Sequence, residues 1–217
     1  MAKLHISLKI ATSLDGKIAL QNGESKWITS EASRRRGRQL RAANDGICIG
    51  ANTAVLDDPM LTVRENDAED PVRIVFDSRL RTPLIAQLIQ TAQSVPTWIF
   101  HDEALNIQGH PLTETSAKLI PVPKIEAGLD LMTCVAKLSK LGLRRLLIEG
   151  GGTLAASFLR ADLVNEIHWF RAPIIIGGNG RNCIGDMPFK TLDSVPVFER
   201  KSLEQIDQDI YEVLKRK

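Results

Sequence analysis

The residues richest in chemistry lie in Leu146-Leu147-Ile148-Glu149-Gly150-Gly151-Gly152-Thr153, where an apolar run meets three glycines and then a helix-forming stretch. A strand that ends in glycines and reopens as a helix builds an anion cradle. Without Cβ atoms the backbone can approach a phosphate, and the first N–H groups of a helix lack intrahelical acceptors and sit in a favourable dipole. A ligand-free strand-to-helix turn uses the same residues, so the glycines alone leave both readings open. Gly150, Gly152 and Ala155 also fit a G-x-G-x-x-A spacing. In a dinucleotide-binding Rossmann domain that spacing opens the fold, whereas here it comes late. Glu149 stands at the carboxyl end of the strand, where open α/β sheets bind ligands. It can accept hydrogen bonds from a substrate or cap the following turn.

A second concentration is Thr53-Ala54-Val55-Leu56-Asp57-Asp58-Pro59-Met60-Leu61-Thr62-Val63-Arg64, after the apolar Gly46 to Gly50. It reads as a loop of mixed chemistry. Asp57 can meet hydroxyl or amino groups and Arg64 can clamp a phosphate bidentately, although an N-capped turn with a solvated arginine uses the same residues. Arg34, Arg35, Arg36, Arg38 and Arg41 advance by about 100° per residue on a helix, so they cannot share one face. Most read as a solvated surface, from which one, such as Arg41 near the helix end, can turn inward to a phosphate. His5, His101, His110 and His168 fall at no ligand spacing, so no metal is expected. Neither a G-x-S-x-G elbow nor the H-x-E with P-C-x-x-C deaminase pattern occurs. A phosphate-rich ligand with no protein-borne electrophile points to cofactor chemistry.

The elements that must carry these residues follow from periodicity. Leu4, Ile6, Leu8 and Ile10 alternate with polar residues and predict a half-buried first strand; Asp15-Gly16 and Asn22-Gly23 mark turns. Ser30 to Ala43 predicts a helix opened by a hydroxyl cap, despite Gly37. Gly46 to Gly50, Val72 to Phe76 and Thr97 to Phe100 read as interior strands, the latter two followed by loops. Leu129 to Leu141 predicts a helix stopped at Gly142, Arg144 to Ile148 a strand, and Thr153 to Ala161 a second helix. Ile167 to Phe170 and Pro173 to Ile176 read as extended, and Val197 to Leu203 with Ile210 to Leu214 as an antiparallel hairpin turning near Asp207-Gln208-Asp209. The sum is an α/β fold in three layers, its mixed, mostly parallel central sheet ending in an antiparallel hairpin.

Composition bounds the rest. The 217 residues are 43% hydrophobic and 25% charged, as in globular chains, and are expected to form a single domain over 1–217. Twenty-eight basic against 26 acidic residues leave a net charge of +2, too little for a nucleic-acid field. Cys48, Cys134 and Cys183 are odd in number and far apart, which suits a reducing cytoplasm. No apolar run approaches the roughly 18 residues of a membrane span.

With these residues in view, the chain resembles the reductase domain of the bacterial riboflavin-biosynthesis deaminase/reductase, which has the dihydrofolate-reductase-like fold. The resemblance runs through Lys9-Ile10-Ala11-Thr12-Ser13-Leu14-Asp15-Gly16-Lys17, Gly23-Glu24-Ser25-Lys26-Trp27-Ile28-Thr29-Ser30, the Thr53 to Arg64 segment, Val72 to Pro83, Glu149 to Thr153, and Ala172-Pro173 to Gly177-Gly178. It implies NADPH-dependent reduction of 5-amino-6-(5-phosphoribosylamino)uracil to the ribitylamino compound, by hydride transfer to C1′. The substrate contacts it implies fall on Ser25, Arg41, Leu61, Arg64 and Glu149, with Arg41 and Arg64 on the 5′-phosphate. The implied cofactor contacts are Ala11, Trp27, Thr53, Asp57, Ser78 and the turn from Gly151 to Ser157, including Gly152, Thr153 and Leu154. To these we add Arg79, which with Ser78 can bond the 2′-phosphate of NADPH. Asp57 and Glu149 are the candidates for proton delivery.

Two departures from the family pattern bear on function. Asn165-Glu166 replaces an Asp-Glu pair, a change expected to alter a surface contact only. No deaminase half is expected either, so a separate deaminase supplies the substrate or the reductase acts first, on the 2,5-diaminopyrimidinone analogue. The resemblance also implies a homodimer. Two alternatives stay open: a dihydrofolate or other pterin reductase, and a non-enzymatic dinucleotide-binding partner of a deaminase.

Overall fold

Residues 3–64 and 68–217 are described by a computed structural model. In chain order the elements are β1 (His5–Thr12), β2 (Lys17–Ala19), α1 (Glu31–Ala42), β3 (Gly46–Gly50), α2 (Ala51–Asp57), β4 (Val72–Phe76), α3 (Gln87–Gln90), β5 (Thr97–Asp102), β6 (Lys118–Val122), β7 (Lys124–Ile125), β8 (Gly128–Leu129), α4 (Leu131–Lys140), β9 (Arg145–Ile148), α5 (Gly152–Arg160), β10 (Glu166–Arg171), β11 (Arg181–Asn182), β12 (Phe198–Ile206) and β13 (Asp209–Arg216). The cap signals act as their chemistry dictates. Ser30 Oγ accepts from Ser33 N at 3.2 Å before α1, and Asp130 takes Met132 N at 3.0 Å before α4. Gly142 N closes α4 on Ser139 O at 3.2 Å.

The chain forms two compact units, Met1–His5 with Leu40–Leu147, and Ile6–Gln39 with Ile148–Lys217. In the first, strands run in the order β9-β3-β4-β5-β6, and β3 through β6 pair in parallel. Such strands are covered on both faces, which is why Ile47, Cys48, Ile49, Ile74, Val75 and Ile99 are all buried. One apolar cluster joins Ile47, Ile49, Val75 and Ile99 to Ala54, Leu61, Leu88 and Leu112; each large side chain there contributes about 1.5–3 kcal/mol by leaving water.

In the second unit the order is β12-β13-β10-β1, with β1 and β10 parallel and β13 antiparallel to both β10 and β12. The parallel sheet with antiparallel C-terminal strands thus matches the sequence reading. Helix α5 buries Leu154, Ala155, Ala156, Phe158 and Leu159. Tyr211 stacks on Phe170 at 4.5 Å between ring centres and hydrogen-bonds His168 Nδ1 at 2.7 Å; burial pushes its phenol up to about 12.

Five expectations change. Residues 51–57 are helical, so Thr53 and Asp57 stand on α2 rather than in a loop. Alanines at its start and middle pack inward and outweigh the proline and paired carboxylates that follow. Pro173 to Ile176 is in no strand; Leu14 N donates to Ile174 O at 2.7 Å and Ile176 N to Asp15 Oδ1 at 3.1 Å. The stretch read as loop after Phe100 contains β6, where Pro121 interrupts the apolar pattern. Asn165 is not a surface contact: its Oδ1 accepts from Ile6 N at 2.8 Å, and its own N–H donates to Ile6 O at 2.9 Å, tying β10 to the start of β1. The first strand is also less amphipathic than expected, since Ser7 is buried along with the apolar positions.

Candidate functional site

In the first unit Thr53 follows the carboxyl end of β3, and Ser78 and Arg79 follow that of β4. Thr53 and Asp57, four residues apart, share one face of α2, with Asp57 exposed at its end. The chain then turns sharply through Asp58, Leu61 and Arg64, all at positive φ (39°, 56° and 61°), a region costly for residues with a Cβ. Three groups brace it. Arg41 Nη1 donates to Thr62 O at 2.8 Å, Asp70 Oδ1 accepts from Val63 N at 2.7 Å, and Gln87 N donates to Asp58 Oδ1 at 2.8 Å. Leu61 packs into the core, so a ligand would meet it through its backbone, whereas Arg64 is exposed.

Beneath this loop lies a residue that sequence reasoning passed over. Arg73 is fully buried on β4, where a basic residue in an apolar run was its only signal. Its Nη1 donates to Thr91 Oγ1 at 2.8 Å and Met60 O at 3.3 Å, and its Nη2 to Val95 O at 2.7 Å and Leu88 O at 3.1 Å. Burial lowers the guanidinium to about 10, with Asp70 offsetting part of that effect. After β4, Asp77 Oδ2 accepts from both Thr82 N and Thr82 Oγ1 at 2.8 Å, shaping a turn on which Ser78 is half-buried and Arg79 exposed.

In the second unit Glu149 directly follows β9 with its side chain 6% exposed, and Lys9 Nζ of β1 lies 3.7 Å from its Oε2. Lys9 is the second missed residue: it falls on the polar side of the alternating first strand, and its Cε lies 3.4 Å from where a Cβ would stand on Gly37. Gly151 follows at φ +71°, and α5 begins at Gly152 without a side-chain cap. The first intrahelical bond is Ala155 N to Gly151 O, so the N–H groups of Gly152, Thr153 and Leu154 precede it and point out of the helix start.

The glycines themselves divide. A Cβ on Gly152 would lie 2.5 Å from Asn182 O and 3.2 Å from Gly185 N, and Gly185 N donates to Gly152 O at 2.8 Å. The space that a missing side chain frees at Gly152 is therefore filled by the 182–185 backbone and is not open to a phosphate. A dinucleotide's phosphates still fit the chain here through the N–H donors of the α5 start. Leu154 is buried and offers its backbone only, while Thr153 is exposed. Ala11 is half-buried on β1 and Ser25 exposed; Trp27 is 69% exposed, with the Arg34 guanidinium 4.3 Å from its ring centre. Asp15 joins neighbouring turns, accepting from Ser13 Oγ at 2.6 Å and Gly177 N at 2.7 Å; these hydrogen bonds, the Ser13 hydroxyl foremost, lower its carboxyl to about 2. A cleft of about 520 Å³ lined by Leu20, Gln21, Asn22, Ile176, Asn179 and Gly180 includes none of the predicted residues.

Of the arginine series, Arg34 and Arg38 pair with Glu31 and Arg36 with Glu204, as a solvated helix face should. Arg41 turns inward, to a carbonyl of the loop that carries Arg64. Among the described residues no group of three His, Cys, Asp or Glu side chains gathers as a metal would need, and no helix is long and apolar enough to cross a membrane.

The sequence matches the RibD C-terminal domain over residues 4–211. The chain belongs to that family. It is 38% identical over 210 residues to the riboflavin biosynthesis protein RibD of Actinobacillus pleuropneumoniae, covering 95% of this chain and 55% of that protein. The chain thus spans about half the length of the RibD proteins it matches. It is 33% identical to the 2,5-diamino-6-ribosylamino-4(3H)-pyrimidinone 5′-phosphate reductase of Archaeoglobus fulgidus, covering 84% of this chain and 86% of that one. Among solved structures, Acinetobacter baumannii RibD superposes with a TM-score of 0.85 at 26% identity, over 99% of this chain and 58% of that one. RibD C-terminal domain membership accounts for the α/β fold with its mostly parallel sheet.

Proposed function

We propose that this RibD C-terminal domain is a nicotinamide-dependent reductase of riboflavin biosynthesis that converts the ribosylamino side chain of 5-amino-6-(5-phosphoribosylamino)uracil to ribitylamino. The observation that carries the reading is a buried carboxylate, Glu149, held by Lys9 and followed directly by the open donors of α5. NADPH, when bound, supplies the hydride. The chain's own residues do the rest. The N–H groups of Gly152, Thr153 and Leu154 take phosphate oxygens, with Ala11, Trp27, Thr53 and Asp57 along the dinucleotide and Ser78 and Arg79 on its 2′-phosphate. Arg41 and Arg64 anchor the 5′-phosphate, and Ser25 and the Leu61 backbone hold the substrate between its ends.

Ring opening breaks C1′–O4′ as O4′ takes up a proton and the exocyclic N–H gives one up, leaving an imine between C1′ and that nitrogen. Hydride adds to C1′, a proton reaches the nitrogen, and the C1′–N double bond becomes single. Glu149 or Asp57 delivers that proton, and the main contribution of the chain is positioning. The similarity to the Archaeoglobus enzyme, over most of both lengths, favours a second substrate: the 2,5-diaminopyrimidinone with the same ribosyl phosphate.

The test is purified protein with NADPH or NADH and, separately, the uracil, the diaminopyrimidinone and dihydrofolate. Consumption of a ribosyl phosphate substrate supports the reading and identifies which one; turnover of dihydrofolate alone refutes it, and no nucleotide oxidation at all favours a binding module. Arg64→Ala should raise KM for the phosphorylated substrate by about ten- to a hundredfold, the loss of one charge-assisted bond, at unchanged thermal stability. Light scattering of the same sample decides the proposed homodimer.

A further inference from the structure

The register of β3 and β4 aligns Gly50 with Phe76, so both strands deliver their next residues to one carboxyl edge. From β3 come Ala51 and Asn52 at the start of α2; from β4 comes the turn 77–82. Carboxyl edges of parallel strands are where α/β sheets take nucleotides, and an arginine there distinguishes a 2′-phosphate from a 2′-hydroxyl. The turn is rigid. Its buried Asp77 bonds Thr82 twice, and Leu80, at φ +53°, tucks its side chain into the core. With Leu80 pointing inward, its neighbours Arg79 and Arg81 are both left exposed.

Arg81 is not loose. Its Nη2 donates to Asn52 Oδ1 at 2.9 Å, a bond that links the two edge segments. Asn52 is neutral, so this bond fixes the guanidinium without cancelling its charge. Among the described residues neither Arg79 nor Arg81 has a carboxylate within ion-pair distance, whereas Arg34, Arg36, Arg38, Arg171, Arg200 and Arg216 each do. The acids close by in the fold are otherwise engaged: Asp77 holds the turn, Asp58 holds Gln87, and Asp102 Oδ1 accepts from Ala104 N. Two exposed cations on one turn, one pre-oriented by an amide and neither in an ion pair among the described residues, can receive a phosphate dianion.

Resting on the nicotinamide reading above, we propose that Arg81, steadied by Asn52, is a specificity-determining residue that clamps the 2′-phosphate of the cofactor's adenosine together with Arg79. The test is calorimetric binding of adenosine 2′,5′-bisphosphate, adenosine 5′-monophosphate, NADPH and NADH to the intact protein and its variants. Arg81→Ala should weaken the bisphosphate and NADPH about tenfold while leaving the monophosphate and NADH within about twofold. Arg81→Lys should recover part of that loss, because a point charge remains without the fork. Asn52→Ala should lose about threefold, in the same phosphate-dependent sense, because the charge stays and only its orientation is released. Equal weakening of NADPH and NADH by Arg81→Ala, or no weakening of either, overturns the proposal even if the protein reduces its substrate. A wild-type protein that binds neither dinucleotide refutes the reductase reading and this inference together.

Discussion

At Asp58–Arg64 the chain makes its tight path with three non-glycine residues in left-handed backbone, whereas at Gly151–Gly152 it uses glycine. The two stretches hold their shape differently. In the first, a buried guanidinium, a carboxylate and an inward-turned arginine grip backbone oxygens and N–H groups, so that strain of about 1–3 kcal/mol per residue is carried by surrounding bonds. In the second, conformation costs little and the constraint is space, because the 182–185 backbone lies where a side chain would go. A glycine therefore marks close approach without saying what approaches. Residues with side chains held at positive φ by buried partners mark a loop whose shape is fixed from below.

The largest test of this contrast is Arg73→Met. It removes the Arg73 donors from three carbonyls and a hydroxyl, of which only Leu88 O and Val95 O keep a bond from Thr97 Oγ1, and should cost roughly 3 kcal/mol in urea unfolding, with KM for the phosphorylated substrate rising as the loop relaxes. A variant as stable as the parent would mean that the loop holds itself. Gly152→Ala comes next, at roughly 1–3 kcal/mol from overpacking against Asn182 O. If it instead unfolds like the parent, the 182–185 segment yields and the glycine serves a ligand after all.

The smallest effect is on acid stability of the turns beside the second region. Asp15 has its folded pKa lowered from 3.8 to about 2, so its contribution is complete above 3.8 and is lost as pH falls through about 2. Protection of the Ile176 and Gly177 amides, measured against their intrinsic exchange rates at each pH, should therefore fall over that window, and Asp15→Asn should remove that pH dependence of protection. Amides that exchange identically in both proteins would show that these turns are held by packing alone.

Much of this was written in the sequence, and the exceptions have physical causes. Strands β3, β4 and β9 and helices α4 and α5 were legible because apolar period and cap chemistry agree with the tertiary structure there. Helix α2 was not, since Asp57-Asp58-Pro59 signals a turn and the deciding fact, burial of Ala51 and Ala54, is tertiary. Glu149 was legible at a strand end. Its partner Lys9 comes from a strand paired far along the chain, and no local pattern joins the two. Arg73 was illegible for the opposite reason: a charge inside an apolar strand reads as an irregularity until its four oxygen acceptors are seen.

The interleaving of the two units sets a timetable for synthesis. All of the first unit has been translated once Leu147 is made, so its parallel strands can assemble while the ribosome is still working. Strand β1 pairs with β10, and Ile6 waits for Asn165, 159 residues later. Closing so long an interval is slow, so β1 stays without its β10 partner until Glu166–Arg171 are made, and the second unit is completed only once β12 and β13 follow.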